Sequence, residues 1–166
     1  MGLLKNLMKK KTTTANVDPA IYSPLTGKSV PLSQVNDPVF AEEMMGEGAA
    51  ILPTVGEVLA PCDGEVLTVF RTLHAITFKG DNGSEIIIHV GLETVALDGE
   101  HYVAHVKDGQ RVKKGDLLLG FDIEQLKAKG YDVITPVIVT NSSDYTRVEK
   151  TEQDHVQAGD LFLHLG

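Results

Sequence analysis

The apolar residues of this chain fall into short runs separated by polar turns, from about residue 50 onward. Eight of these runs are rich in β-branched or other apolar side chains and predict strands, at residues 56–61, 64–70, 74–79, 84–90, 101–106, 116–122, 132–140 and 160–165. The turns between them are clusters of Gly, Asp, Asn and Lys, which are typical of tight connections. Short strands at this spacing predict an all-β fold, a compact antiparallel β-sandwich or barrel-sandwich.

Helical signals are few. Asp37 followed by Pro38 has the residue types of a helix N-cap and first position, and predicts a short helix that continues through Met45. Asp122 with Gln125 three residues later resembles a capping box and predicts a second helix. We therefore expect only a few short helical turns beside the strands.

Two segments of the chain repeat the pattern V-x-x-G-D-L-x-L, at residues 112–119 and 156–163. Each reads as the end of one strand, a tight Gly-Asp turn and the start of a buried strand. A shorter repeat, GEVL, occurs at residues 56–59 and 64–67. These repeats predict that the sandwich has internal pseudo-symmetry, with two similar halves.

Charge divides the chain into two parts of opposite sign. The 166 residues carry a formal net charge of −8, although residues 1–11 contain four lysines and no acidic side chain. Residues 1–18 predict a flexible basic N-terminal tail, and residues 19–166 predict the folded domain. A second interpretation makes the apolar positions of residues 3–8 one face of an amphipathic helix that contacts the membrane surface.

Composition excludes several classes of protein. An acidic chain cannot neutralise many phosphates, so we expect no broad nucleic-acid binding. Cys62 is the only cysteine, which excludes an internal disulfide, and it lacks the basic neighbours of a reactive thiol. No apolar run reaches the roughly 18 residues of a membrane span, and no secretory signal is present. We expect a cytoplasmic protein, and a free-standing one because the sequence starts at Met1 and ends just after the last predicted strand.

Two of the six histidines come together in a predicted hairpin. His74 and His89 lie in the strands on either side of the turn KGDNG. If that turn has an even length, centred on Asp81-Asn82 or on Asn82-Gly83, the histidines are direct or diagonal cross-strand neighbours on one face. Thr72, two residues before His74, shares this face.

The histidine pair permits three interpretations. At least one ring should be neutral near pH 7, because two charged imidazoles repel each other. A neutral imidazole can attack phosphorus as a nucleophile, bind a metal ion such as zinc, or make a purely structural hydrogen bond. From these residues alone the three interpretations remain open. His101 and His105, four residues apart, are interpreted as a surface pair.

The segments around this pair strongly resemble the glucose-type enzyme IIA family of the bacterial phosphoenolpyruvate-dependent sugar phosphotransferase system. The resemblance rests first on RTLHAITF and IIIHVGLETVALDG. It extends, in the order of the family, to SPLTGKSVPLSQVNDPVFAEEMMGEGAAILP, APCDGEV, KDGQRVKKGDLLLGFD and TPVIVTN. It covers the chain from about Ile21 to the C-terminus and implies that residues 19–166 form an enzyme IIA domain with an all-β sandwich fold.

The resemblance also implies a phosphoryl relay. His89 would accept the phosphoryl group on Nε2 from the phosphocarrier protein HPr and pass it to a cysteine on an enzyme IIB domain of a sugar permease. His74 would contact the phosphoryl group, and Thr72 would orient His74. No cofactor is required, but some members bind regulatory targets when unphosphorylated, and a zinc ion bridged by the two histidines can take part.

Residues that bind the partners would surround the histidines. The resemblance places two acidic residues there, Asp37 and Glu93, although the family usually has Asp at the second position. It also implies an apolar rim formed by Val39, Phe40, Met44, Met45, Phe70, Ile87 and Val95.

A zinc-dependent hydrolase on a related β-scaffold is the competing prediction. It would use His74, His89 and a carboxylate, and Glu93 follows His89 at a suitable distance. The H-x-H spacing found in such zinc peptidases does not occur anywhere in the sequence. The sequence therefore favours the relay.

Overall fold

A computed structural model describes residues 17–166 of the chain. The predicted basic tail, residues 1–18, lies almost entirely outside the described residues, so its membrane contact and the boundary at residue 19 stay predictions. Between residues 17 and 166, no helix is long and apolar enough to cross a membrane.

The described residues form fourteen β-strands. In chain order they are β1 (Ala20–Tyr22), β2 (Gly27–Pro31), β3 (Glu47–Pro53), β4 (Glu57–Leu59), β5 (Gly64–Val69), β6 (Ala75–Gly80), β7 (Glu85–His89), β8 (Tyr102–Ala104), β9 (Arg111–Val112), β10 (Leu117–Phe121), β11 (Thr135–Val139), β12 (Val148–Lys150), β13 (His155–Val156) and β14 (Leu161–Leu165). Each of the eight predicted runs overlaps one of these strands, and the all-β prediction is confirmed.

The strands pair antiparallel in three sheets. The largest has the order β13-β2-β3-β11-β7-β6-β5-β9, and the two three-stranded sheets have the orders β1-β14-β12 and β4-β10-β8.

The buried side chains form two clusters. Phe78, Leu118 and Phe162, all fully buried, belong to the main core. A second cluster of buried side chains includes Ile87 and Phe40. Side chains alternate along β7, so Ile87 points away from the main core and into this second cluster.

The sequence analysis misses β1, β2, β3 and β12, although β3 lies inside the largest sheet between β2 and β11. β3 begins Glu-Gly-Ala-Ala, and neither glycine nor alanine favours a strand. The structure needs a glycine at this point, because a Cβ on Gly48 would lie 2.1 Å from the carbonyl oxygen of Val137 in β11. The close approach of the two backbones therefore requires a residue without a side chain, and such a residue gives no strand signal in the sequence.

Both predicted helix N-caps are confirmed. Helix α1 is Pro38–Ala41, and the Asp37 side chain accepts a hydrogen bond from the backbone N–H two residues on. Helix α2 is Ile123–Ala128, and the Asp122 side chain accepts from the backbone N–H three residues on. Short 3-10 helices at Leu32–Gln34, Thr94–Leu97 and Ser142–Asp144 supply the remaining helical turns.

The first helix is shorter than predicted. It ends at Ala41 rather than at Met45. Glu43 takes a left-handed conformation with φ of +57°, and Gly46 donates its N–H back to the Glu43 carbonyl. The residues after Ala41 therefore turn the chain into β3, a geometry that helix periodicity cannot reveal.

The hairpin of β6 and β7 has a different register from the one predicted. Ala75 pairs with His89, and the loop between the strands is Asp81–Gly83, an odd length of three residues. Gly80 and Ser84 close the loop, with the Gly80 N–H donating to the Ser84 carbonyl at 2.8 Å. Both even-length turns are therefore wrong. Gly83, with φ of +89°, supplies the left-handed residue of a three-residue loop.

The predicted repeats form equivalent turns. The first joins β9 to β10 and the second joins β13 to β14. Gly115 donates its N–H to the Ala60 carbonyl, and Gly159, its counterpart, donates to the Ser23 carbonyl, both at 2.9 Å. The Gly-Asp repeat therefore serves one structural purpose at two places in the fold.

A further repeat became visible only in the structure. Tyr22 donates its N–H to the Pro61 carbonyl, and Leu59 donates its N–H to the Pro24 carbonyl, each at 2.8 Å. This reciprocal pair relates Ser-Pro-Leu-Thr-Gly, which follows Tyr22, to Ala-Pro-Cys-Asp-Gly, which follows Leu59. The two segments are therefore joined to each other by equivalent backbone hydrogen bonds.

Gly64, which starts β5, provides a test of how closely the strands pack. A Cβ there would lie 2.2 Å from the Lys79 carbonyl oxygen in β6. We expect Gly64→Ala to lower the free energy of unfolding by about 2–3 kcal/mol, because backbone atoms must shift to admit the methyl group. Urea unfolding measures the loss.

Gly109→Ala is the matched control. Gly109 has φ of +80°, and nothing lies within 4 Å of the added Cβ. Its substitution should cost only the left-handed backbone strain, about 1 kcal/mol. Equal losses in the two variants would contradict the close approach of β5 and β6.

Candidate active site

The two predicted site histidines meet at one end of the β6–β7 hairpin. His89 is the last residue of β7, and His74 immediately precedes β6. Their ring centroids are 4.8 Å apart and their planes are nearly perpendicular, at 84°. The predicted proximity is therefore observed, although the pairing that led to it is wrong.

The backbone before β6 explains how the rings meet. In the observed register His74 lies opposite Val90, which donates its N–H to the His74 carbonyl at 2.7 Å. An ideal strand would direct His74 to the face opposite that of His89, because neighbouring side chains alternate. The chain leaves strand geometry at Leu73, where φ is +61°, and the His74 ring packs against His89.

The hydrogen bond made by His89 identifies its tautomer. Nδ1 of His89 lies 2.8 Å from the backbone carbonyl oxygen of Gly91. A carbonyl oxygen can only accept, so Nδ1 carries the proton and Nε2 of the neutral ring has a free lone pair. The Phe40 ring packs against the His89 ring at a centroid distance of 5.0 Å, which restricts its rotation.

His74 is held by a side chain instead. Its Nδ1 lies 2.7 Å from Oγ1 of Thr72, and the edge of its ring meets Phe70 at 5.6 Å. When the Thr72 hydroxyl donates to Nδ1, the proton of the neutral ring is on Nε2. His74 then presents an N–H donor next to the His89 ring.

Burial keeps both rings neutral. Desolvation lowers the pKa of His74 from 6.5 to about 4, and repulsion from His89 contributes to this shift. Burial also lowers the pKa of His89, while its bond to the Gly91 carbonyl and the charge of Asp37 oppose the shift. The site therefore presents a free lone pair and a neutral donor at pH 7.

The acidic residues of the predicted partner surface differ in their exposure. Asp37 is half-buried at the N-terminus of α1, close enough for its charge to act on His89. Glu93 is exposed, with a left-handed backbone at φ of +58°. Left-handed geometry is easier for Asp or Asn than for Glu, so the residue that departs from the family pattern occupies a strained position.

The predicted apolar rim separates into two layers. Its exposed members are Val39, Met44 and Val95, and its half-buried members are Met45 and Phe70. Phe40 and Ile87, each 5% exposed, belong to the second core cluster. Phe40 lies directly against the His89 ring, and Ile87 belongs to the same core cluster beneath it.

Gly91 is the site residue that the sequence analysis misses. It has φ of +85°, and a Cβ there would lie 2.6 Å from the Thr94 side chain. Its contribution is a backbone carbonyl, which has no signature in residue type. A glycine two residues after a histidine at a strand end was the one signal available.

The residues present do not fit a resident zinc ion. Among residues 17–166, no three His, Cys, Asp or Glu side chains lie close enough together to hold one metal ion. A catalytic zinc needs three protein ligands and an open position. The hydrolase interpretation therefore has only the histidine pair to rely on.

Cys62, which is buried, is protonated at neutral pH, because burial raises its pKa to about 12.

His74 should remain uncharged down to low pH. We expect its ring resonances in an NMR titration to change only near pH 4. Because the unfolded chain binds a proton at about pH 6.5 and the folded chain does not, acidification from pH 6.5 towards 4 should destabilise the fold.

The size of this loss can be bounded. It is at most about 1.4 kcal/mol per pH unit, and it is absent above pH 6.5, where both states are neutral. Urea unfolding across this range should show a weaker pH dependence in His74→Gln. An unchanged dependence in that variant would contradict the low pKa.

Comparison with known proteins identifies the family. Residues 19–145 match the family model described as phosphoenolpyruvate-dependent sugar phosphotransferase system, EIIA 1. The chain is 46% identical over 158 residues to the glucose-specific EIIA component of this system from Oceanobacillus iheyensis, and the match covers 95% of both chains. It is 50% identical over 145 residues to the beta-glucoside-specific EIIBCA component from Bacillus subtilis, covering 87% of this chain and 24% of that longer one.

A solved structure agrees with the sequence matches. The fold is similar to that of glucose permease IIA from Mycoplasma capricolum, with a TM-score of 0.81 and 33% identity. The match covers 89% of this chain and 96% of that one. The resemblance to the glucose-type family is thereby confirmed, and the chain belongs to the EIIA 1 family of the phosphoenolpyruvate-dependent sugar phosphotransferase system.

Proposed function

We propose that this component of the sugar phosphotransferase system is a relay that carries the phosphoryl group on Nε2 of His89. HPr is the donor, and a cysteine of an enzyme IIB domain is the acceptor. The observation that carries the proposal is the hydrogen bond from Nδ1 to the Gly91 carbonyl, because it leaves Nε2 as the free nucleophilic nitrogen.

Each transfer exchanges one bond to phosphorus. In the first step, the Nε2 lone pair of His89 bonds to phosphorus while the bond from phosphorus to HPr breaks, and HPr retains that electron pair. In the second step, the thiolate of the IIB cysteine bonds to phosphorus and the electron pair of the broken N–P bond returns to Nε2. Nδ1 keeps its proton throughout.

The environment of His89 stabilises the phosphorylated ring. Forming the N–P bond draws electron density from the imidazole and makes Nδ1–H a stronger donor. The Gly91 carbonyl receives that donor, and the charge of Asp37 favours positive charge on the ring. The phosphorylated ring is therefore stabilised without a further side chain entering the site.

His74 acts on the phosphoryl oxygens. With its Nδ1 accepting from Thr72, its Nε2–H can donate to an oxygen of the group attached to His89. Phosphoryl transfer needs mainly positioning and charge stabilisation, which a fixed donor supplies. Thr72 contributes as a positioning residue, because its hydroxyl holds Nδ1 of His74 by a hydrogen bond.

Partner docking would use the surface around the histidines. The exposed apolar residues Val39, Met44 and Val95 offer an adaptable contact area, with Asp37 and Glu93 beside it for basic partners. The Bacillus subtilis relative is named an EIIBCA component, which supports an enzyme IIB partner. HPr as the donor, work in the cytoplasm and binding of regulatory targets follow from the family and remain part of the proposal.

Zinc is not needed for the relay. Among residues 17–166, no third ligand accompanies His74 and His89, so we expect a bridging zinc ion to take at least one ligand from a bound partner. Zinc-assisted regulatory binding therefore stays a prediction about complexes, and no step of the transfer depends on it.

The relay can be tested by reconstitution with phosphoenolpyruvate, enzyme I and HPr. We expect acid-labile label on the wild-type chain and none on His89→Gln, which lacks the nucleophile. His74→Gln should accept label but pass it to enzyme IIB about a hundredfold more slowly, because one preorganised donor is lost.

The control variant is His155→Gln, which changes an exposed histidine and should behave like the wild type. Full labelling of His89→Gln would overturn the assignment. A chelator-sensitive hydrolase activity in the wild type, with no labelling by HPr, would support the competing function.

Docking can be tested separately from chemistry. Val95 is 55% exposed in the proposed docking surface, and we expect Val95→Asp to raise KM for phosphorylated HPr about tenfold by placing a charge in an apolar contact. Val103→Asp is the matched control, since Val103 is 58% exposed on β8, in a different sheet from β7. Equal effects in the two variants would contradict the location of the surface.

A further inference from the structure

Two buried hydroxyl groups meet at one backbone carbonyl next to the phosphoryl acceptor. Oη of Tyr102 and Oγ1 of Thr94 each donate to the Val90 carbonyl oxygen at 2.8 Å. Tyr102 is 5% exposed and Thr94 is fully buried. A carbonyl oxygen has two lone pairs, so this pair of donors saturates it. Packing alone would be served equally well by Phe and Val at these positions.

Three successive peptide groups are anchored at this point of the chain. The Val90 N–H donates to the His74 carbonyl at 2.7 Å, and the next peptide group receives the two hydroxyls at the Val90 carbonyl. The peptide between Gly91 and Leu92 is held by the Leu92 N–H, which donates to the Asp132 carbonyl at 2.9 Å. The Gly91 carbonyl belongs to this last group, and its direction is therefore determined from both sides.

The surroundings of Gly91 add a steric restraint. The Thr94 side chain occupies the place where a Cβ would be, at 2.6 Å, and the Asp132 carbonyl oxygen is at 3.0 Å. The Thr94 methyl group therefore fills the space beside the Gly91 Cα, while the Thr94 hydroxyl binds the preceding carbonyl. One side chain restrains two adjacent peptide groups.

Tyr102, the first residue of β8, follows a loop with unusual backbone geometry. Between the site and β8, Glu93, Asp98 and His101 all have positive φ, at 58°, 49° and 74°. Such conformations persist only where the surrounding contacts determine them. The Tyr102 ring also stacks on Phe121 in the main core, with centroids 6.3 Å apart. The core thereby fixes the hydroxyl that reaches the site.

We propose that Tyr102 and Thr94 are positioning residues for phosphoryl acceptance. Their hydroxyls hold the Val90 carbonyl, which orients the following Gly91 carbonyl, which in turn keeps the proton on Nδ1 of His89. Their effect on the transfer rate rests on the proposed function, whereas their effect on the tautomer of His89 does not.

The test compares Tyr102→Phe, Thr94→Val and the double variant with the wild type. Each variant removes a hydroxyl and retains the shape of the side chain. Nitrogen NMR with isotope-labelled histidine reports the proton position on His89 at neutral pH, independently of any activity. The rate of phosphoryl acceptance from phosphorylated HPr is measured alongside it.

We expect the wild type to show the Nδ1–H tautomer alone and the double variant to show a mixture of both tautomers. Acceptance by the double variant should be about tenfold slower, which corresponds to about 1.4 kcal/mol in the barrier. Each single variant should have a tautomer ratio and a rate between those of the wild type and the double variant, because the other hydroxyl still donates to the Val90 carbonyl. The single variants also keep the test valid if the double variant does not fold.

Two controls separate positioning from general destabilisation. Tyr145→Phe removes another tyrosine hydroxyl that contacts a backbone carbonyl, that of Asn82, and should leave the His89 tautomer and the rate unchanged. Thr94→Ser keeps the hydroxyl and should show more of the wild-type His89 tautomer than Thr94→Val does.

The outcomes are distinguishable from those of the proposed function. An unchanged tautomer and rate in folded variants without the hydroxyls would overturn the positioning role, whatever His89 does. Failure of the wild type to accept a phosphoryl group would overturn the relay, and a tautomer shift in the variants would still support the positioning role.

Discussion

The chemistry of this site depends on one hydrogen bond, from Nδ1 of His89 to the carbonyl oxygen of Gly91 at 2.8 Å. An imidazole has two similar nitrogens, and the partner of one decides which of them keeps a lone pair. The fold supplies an acceptor that cannot donate, so the choice does not depend on a titrating side chain. Thr72 holds Nδ1 of His74 through a hydroxyl group, which can donate as well as accept.

Burial supports this arrangement. His89 lies over Phe40, His74 meets Phe70, and the second core cluster fills the space beneath them. This apolar floor disfavours protonation of both rings. His74 is buried, whereas His89 is half-buried and is the more accessible of the two rings. A fixed imidazole in such a site would suit the proposed relay, because docked partners would supply the rest of the enclosure.

Much of the fold follows from residue types. The β-branched runs predict the strands of the hairpin and of the cores, and Asp37 and Asp122 predict their helix starts. Strand β3 is not predicted because Gly48, which a close backbone contact with β11 requires, does not favour a strand. The hairpin register is not predicted because the sequence KGDNGS is compatible with several loop lengths. Only the hydrogen bond between Gly80 and Ser84 shows that the loop has three residues.

The site shows the same division between side chains and backbone. His74, His89 and Thr72 are predicted to share one face, and they do meet, but through the turn at Leu73 rather than through strand pairing. Gly91 and Val90 contribute only backbone atoms, which no residue pattern specifies. The family resemblance supplied the roles of the histidines, and the structure supplied the reason why Nε2 is the available nitrogen.

The most direct test of this account is the position of phosphorus in the loaded protein. Nitrogen and phosphorus NMR of the phosphorylated, histidine-labelled chain identifies the bonded nitrogen from its coupling to phosphorus. The account predicts a single N–P bond at Nε2 of His89, with the proton retained on Nδ1. A bond at Nδ1 of His89, or at either nitrogen of His74, would contradict it.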